Sequence, residues 1–118
     1  MDQTRVLILE DELLLLLDLS LMIEDAGWQS VPAGNVGTAI TILAEHAPDV
    51  AILNLLMPDG GTSEAAAIRC SELGVPFLLY TGAADLSGEW IRRLSPVILS
   101  KPSSHEVIIS AVRKLLSR

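Results

Sequence analysis

Short, unbroken apolar runs alternate with longer segments in which apolar residues recur every three or four positions. The runs are Arg5-Val6-Leu7-Ile8-Leu9, Val50-Ala51-Ile52-Leu53, Phe77-Leu78-Leu79-Tyr80 and Val97-Ile98-Leu99. Runs of this length with no polar alternation predict strands buried on both faces, as in a parallel sheet covered by helices. A weaker run, Trp28 to Ala33, contains Pro32. Proline cannot donate to a sheet ladder, so this strand belongs at an edge.

The intervening segments read as helices. The first follows Glu10-Asp11-Glu12 and stops at Gly27, a natural residue just past a helix end. The second spans residues 34–47, with Asn35 as a cap and Val36, Ala39, Ile40 and Leu43 on one face. Thr62 or Ser63 caps the third, which runs through Leu73 and ends at Gly74. A short, poorly patterned helix spans Asp85 to Leu94. Ser103 or Ser104 caps the last, with Ile108, Ala111, Val112, Leu115 and Leu116 inward. Strand and helix alternate five times with short loops. This predicts an α/β fold: a doubly wound parallel sheet with right-handed crossovers, formed by residues 1–118 as one domain.

The first helix has two apolar faces. At 100° per residue, Leu15, Leu16, Leu19, Met22, Ile23 and Ala26 gather on one side. Leu13, Leu14, Leu17 and Leu21 fall on the opposite side, among Asp18, Ser20, Glu24 and Asp25. Either a neighbouring helix covers this second stripe, or it meets a partner or a second copy of the chain.

Composition narrows the class. Half of the 118 residues are hydrophobic but only 3% are aromatic, so the core is built from Leu, Ile, Val and Ala. A net charge of -7 removes the electrostatic footprint of a nucleic-acid binder and favours basic partners. Cys70 is the lone cysteine, which excludes an intrachain disulfide and points to a reducing compartment. The run Leu13 to Leu17 is too short to span a bilayer, and acids precede it where a secretory leader has a basic start. The expectation is a soluble cytoplasmic domain without a membrane segment.

The predicted strand ends deliver Glu10 and Asp11, Asn54, Thr81 and Lys101 to one edge of the sheet. In open α/β sheets that carboxyl edge is where ligands bind. Two carboxylates beside a third oxygen ligand suit Mg²⁺, whereas a hydroxyl and an ammonium suit phosphoryl oxygens. Each residue also has a plainer reading. Glu10 and Asp11 could be a solvated helix start, Thr81 a turn residue, and Lys101 a counter-ion for the two acids.

Four stretches then resemble, in order and spacing, the receiver domain of bacterial two-component response regulators. They are Leu7-Ile8-Leu9-Glu10-Asp11-Glu12, Pro48 to Pro58, Pro76 to Gly82, and Lys101-Pro102. The resemblance covers the chain from end to end. It implies a flavodoxin-like (βα)5 fold with strand order 2-1-3-4-5. It implies that position 54 is where a phosphoryl group is accepted from a sensor histidine kinase. Glu10, Asp11 and the backbone carbonyl of Leu56 would hold Mg²⁺ together with residue 54. Thr81 and Lys101 would contact the phosphoryl oxygens, and phosphorylation would alter binding of a downstream protein.

The chain departs from that pattern at Asn54, which stands where the family has Asp. A carboxylate can attack phosphorus and form an acyl phosphate, whereas a neutral amide is not a competent nucleophile. Loss of one carboxylate also weakens any Mg²⁺ site. Asn54 can still accept a hydrogen bond from Lys101 or ligate a metal through its oxygen. Ile98, three residues before Lys101, replaces a frequent aromatic, and so does Ser103 after Lys101-Pro102. The leading expectation is a pseudo-receiver that acts through partner binding, including a homodimer through Leu13, Leu14, Leu17 and Leu21. One alternative is a conventional phospho-receiver whose acceptor has been substituted. A remote one is a flavodoxin-like module that binds a flavin or nucleotide.

Overall fold

In the computed structural model, which describes residues 3–58 and 61–118, the elements alternate as β1 (Arg5–Leu9), α1 (Leu13–Asp25), β2 (Gln29–Ala33), α2 (Val36–Glu45), β3 (Val50–Leu53), α3 (Glu64–Leu73), β4 (Phe77–Thr81), α4 (Glu89–Leu94), β5 (Val97–Ser100) and α5 (His105–Leu116). The five strands form one parallel sheet in the order β2-β1-β3-β4-β5. The strand with Pro32 lies at an edge, as its missing donor requires. Met57-Pro58 followed by Gly60-Gly61 reads in the sequence as a turn, which lies partly outside the described residues.

Strand pleating sorts the apolar runs onto two faces. Leu7, Leu9, Ala51, Leu53, Phe77 and Leu79 face the layer formed by α2, α3 and α4. Val6, Ile8, Val50, Ile52, Leu78 and Tyr80 face α1 and α5. Small residues let α3 approach closely: Ala66, Ala67 and Cys70 are fully buried. Leu19, Met22 and Ile23 bury one face of α1, and Ile108, Val112 and Leu115 bury one face of α5.

Most helix-end signals act as their chemistry predicts. The Asn35 side chain accepts from the Thr38 N–H at 2.8 Å, and Ser104 accepts from the Val107 N–H at 3.2 Å. Gly74 ends α3 with φ 73°, and Gly27 follows α1 with φ 89°, conformations that favour glycine. At α3, Thr62 Oγ1 accepts from the Glu64 N–H, whereas the Ser63 hydroxyl is buried without a partner. α4 is shorter than the pattern predicts. Asp85 Oδ1 instead accepts from both the backbone and the hydroxyl of Ser87, holding a turn ahead of the helix. These bonds to Ser87 hold the Asp85 carboxyl below its ordinary range.

The second stripe of α1 is open. Leu13, Leu14, Leu17 and Leu21 are 65%, 78%, 51% and 65% exposed. The alternative that a neighbouring helix covers part of it is not met among the described residues, because α5 packs with the opposite face.

Burial pushes the Cys70 thiol from its ordinary 9.0 up to about 12. The folded state therefore keeps a proton that the unfolded chain loses above about pH 9, so this group's contribution to stability falls as pH rises beyond that value. A thiol-specific reagent at pH 8 is expected to leave Cys70 unmodified in the native protein and to label it on unfolding in denaturant.

Candidate functional site

The parallel register assembles the site before any side chain does. Leu9 lies beside Leu53. The next residues, Glu10 and Asn54, therefore emerge together from adjacent strands. Backbone bonds carry the ladder past the strand ends: the Asn54 N–H donates to Leu9 O at 2.9 Å and the Glu10 N–H to Ala33 O at 3.0 Å. On the other side of the sheet Thr81 pairs with Ser100, and the Lys101 N–H donates to Thr81 O at 2.9 Å.

The side chains of Glu10, Asp11, Asn54 and Lys101 form one hydrogen-bonded network. Lys101 Nζ donates to Glu10 Oε1 at 2.9 Å and to Asn54 Oδ1 at 3.1 Å. Asn54 Nδ2 donates to Asp11 Oδ1 at 2.9 Å and to the backbone carbonyl of Leu56 at 2.7 Å. The other oxygen of Glu10, Oε2, accepts from the Glu12 N–H at 3.1 Å, so the acid also satisfies a donor at the start of α1. The Glu10 side chain is only 3% exposed, and Lys101 is its counter-ion. The Lys101 ammonium also lies 5.6 Å from the centre of the Tyr80 ring.

The direction of the Asn54 carboxamide is set by its neighbours. An amide offers two N–H donors on one side and a carbonyl acceptor on the other. Reversing it would aim the oxygen at two acceptors, Asp11 Oδ1 and Leu56 O, and the NH₂ group at an ammonium. Both hydrogens are used in the observed orientation, and Met57 Sδ lies 3.9 Å from the nitrogen.

Thr81 reaches the same edge, and its side-chain hydrogen bond is local and not to the network. It is buried, and its hydroxyl accepts from the Ala83 N–H at 3.0 Å. Ile98 is partly buried against the α2–α4 layer. Sequence reasoning missed Tyr80, whose hydroxyl accepts from the Ser103 N–H at 3.0 Å and ties β4 to the segment after Lys101. Its position on the α1–α5 face follows from strand alternation, but the bond itself had no sequence signal. His46 caps the end of α2, and His105 on α5 pairs with Asp18 on α1 at 3.1 Å. Trp90 is buried, whereas Trp28 is half-buried with Arg113 5.7 Å above its ring.

As arranged, the donor set does not fit Mg²⁺, which needs oxygen ligands in near-octahedral array. The oxygens of Asp11 and Leu56 that the resemblance assigns to the cation receive the two amide hydrogens of Asn54. Glu10 spends one oxygen on Lys101 and the other on Glu12. Among the described residues no group of three or more His, Cys, Asp or Glu side chains converges as a metal site. Nor does any described helix have the length and apolarity to cross a membrane.

The five-stranded 2-1-3-4-5 sheet thus carries acids after β1, an amide after β3 and a lysine after β5 at one edge. The chain is 32% identical over 117 residues to the transcriptional regulatory protein PhoP of Escherichia coli strain K12, covering 97% of this chain and 52% of PhoP. It is also 32% identical over 117 residues to the probable transcriptional regulatory protein TcrX of Mycobacterium tuberculosis, covering 96% and 50%. The chain thus spans about half the length of these curated relatives. A response regulator receiver protein from Sinorhizobium medicae superposes with a TM-score of 0.87 at 26% identity, over 98% of this chain and 96% of that one. A CheY-like receiver domain from Methanospirillum hungatei superposes with a TM-score of 0.90 at 18% identity, over 98% and 95%. Comparison with protein-family models finds no match. These curated response regulators and receiver structures support a receiver domain of the response-regulator type. As a class, receiver domains bind Mg²⁺ at the phosphorylation site.

Removing the lysine tests how far the network depends on it. Lys101→Ala leaves a carboxylate that is nearly fully buried without its counter-ion, and loss of one partner of such a pair costs about 3 kcal/mol. A urea titration of the two proteins is expected to show that loss. A midpoint within error of wild type would mean that the ion pair contributes nothing to the fold.

Proposed function

We propose that this chain is a phosphorylation-independent receiver: a regulatory binding module in two-component signalling that acts through protein partners and forms no acyl phosphate. Residues 1–118 constitute that receiver domain. The observation that carries the reading is the Asn54 carboxamide at the acceptor position, with its oxygen and both hydrogens engaged. Attack on phosphorus needs an electron-rich oxygen free to approach it. The amide oxygen is neutral and already accepts from Lys101.

The persistence of Glu10, Asp11 and Lys101 does not argue for retained phosphoryl chemistry. Each has a structural role in the network around Asn54, so these residues have work to do without a phosphoryl group. Thr81, whose hydroxyl is bonded to its own turn, is likewise accounted for.

The partner face in this reading is the leucine stripe of α1. Four exposed leucines on one helix form an apolar surface of the kind that marks contact sites. α1 also carries Asp18, Glu24 and Asp25 and no basic residue, so two copies of it would meet with like charge. The stripe fits better an apolar groove with a basic rim on another protein, such as a sensor histidine kinase or a downstream protein. A homodimer through the same four leucines is the competing occupant.

Two measurements test these statements. Incubation with acetyl phosphate and Mg²⁺, followed by intact-mass analysis, is expected to show no phosphoryl increment on the wild-type chain. An increment that maps to residue 54 would end the reading. Leu17→Glu combined with Leu21→Glu is expected to change stability by no more than about 0.5 kcal/mol per site, because both positions face solvent. Sedimentation velocity then identifies the occupant. A wild-type mass of two chains that falls to one in the double variant establishes the homodimer, and one chain for both proteins leaves the face to another protein.

A further inference from the structure

We infer that the Asn54 carboxamide takes the place of the divalent cation, its two hydrogens bridging the Asp11 carboxylate and the Leu56 carbonyl that a cation would otherwise draw together. The inference rests on reading this corner as a receiver site, and it concerns occupancy of the corner rather than reactivity of residue 54.

The geometry supports substitution rather than mere loss. A cation at this corner would gather oxygen lone pairs from the loop after β1 and the loop after β3. Here one –NH₂ group does so, at 2.9 Å to Asp11 Oδ1 and 2.7 Å to Leu56 O. Its partial positive charge faces both oxygens, while the amide oxygen on its far side accepts from Lys101. The two loops are thereby joined by covalently attached hydrogens. Their spacing does not depend on any ion in solution. An entering cation would have to break both hydrogen bonds that Asn54 donates and face the amide hydrogens at close range.

The alternative is that the amide turns over and offers its oxygen to a metal. That movement breaks the bond from Lys101 and brings the NH₂ group towards the ammonium. The two accounts therefore make opposite predictions for Asn54→Ala. If the amide occupies the cation's position, removing it frees Asp11 and Leu56 O, and cation binding appears or strengthens. If the amide is a ligand, its removal weakens binding.

Mn²⁺ is a suitable probe because it stands in for Mg²⁺ and broadens the NMR signals of nearby amides. Wild type, Asn54→Ala and Asn54→Asp would be titrated with Mn²⁺ and followed at the backbone amides of Asp11, Leu53, Leu55 and Leu56. The expected result is no saturable broadening in wild type at concentrations that saturate Asn54→Asp. Asn54→Ala is expected to bind at least about tenfold more tightly than wild type, which corresponds to relief of one charge-assisted hydrogen bond. Wild type binding as tightly as Asn54→Asp, or more tightly than Asn54→Ala, overturns the inference. So does the absence of binding in all three, because the corner would then hold no cation position for the amide to fill. If Asn54→Asp does not fold, the comparison of wild type with Asn54→Ala decides alone. A phosphoryl adduct on wild type would refute the proposed function without bearing on this outcome, and wild-type Mn²⁺ binding as tight as that of Asn54→Asp would refute this inference while leaving the absence of an acyl phosphate intact.

Discussion

The parallel register between β1 and β3 is the constraint on which the rest of the molecule depends. Side chains in a strand alternate faces, so a slip of one residue would exchange the two sets of core residues between the helical layers. Val6, Ile8, Val50 and Ile52 would no longer meet α1 and α5 together. The same slip would separate Glu10 from Asn54, because their adjacency follows from the pairing of Leu9 with Leu53. Core packing and site geometry are thus two readings of one alignment. The hydrophobic energy that specifies the register, summed over many buried aliphatic side chains, also places the polar ones.

The polar corner solves a local problem of charge. Glu10 and Asp11 are successive acids at the end of a buried strand, and the family's pattern would add a third at position 54. In this chain that third charge is replaced by a dipole whose donor end meets one acid and whose acceptor end meets the lysine bound to the other. Nearly complete burial of Glu10 strengthens its attraction to Lys101 and also makes its desolvation costly, so the pair depends on good geometry and on the second bond from the Glu12 N–H. Within the network both oxygens of Glu10 and the oxygen and both hydrogens of Asn54 find partners in the chain.

Much of this was legible in the residues. Unbroken apolar runs identified the buried strands, Pro32 identified the edge, and the residues after each strand identified the corner. The choice of caps followed where a side chain had an unambiguous role, as with Asn35. The misses share a physical origin. The length of α4 depended on whether Asp85 would start a helix or hold a turn with Ser87, a competition that local pattern does not resolve. The bond from Ser103 to Tyr80 depends on side-chain rotation within an assembled core. For Asn54 the sequence left two roles open, metal ligand through the oxygen or acceptor for Lys101. Periodicity could not say which way the amide faces, because that orientation is set by Asp11, Leu56 and Lys101 acting together.

The bond between Lys101 and Glu10 joins residues 91 positions apart in the chain. It spans strands that are not neighbours, since β3 and β4 lie between β1 and β5. Such a contact cannot form until the intervening strands are aligned, and the entropy of closing so long a loop is recovered only when they are. The lysine therefore acts as a check on assembly. A chain with its first strand and last strand each in place but its centre misaligned gains nothing from this pair. The polar corner is the part of the molecule that registers whether the sheet between its two ends is complete.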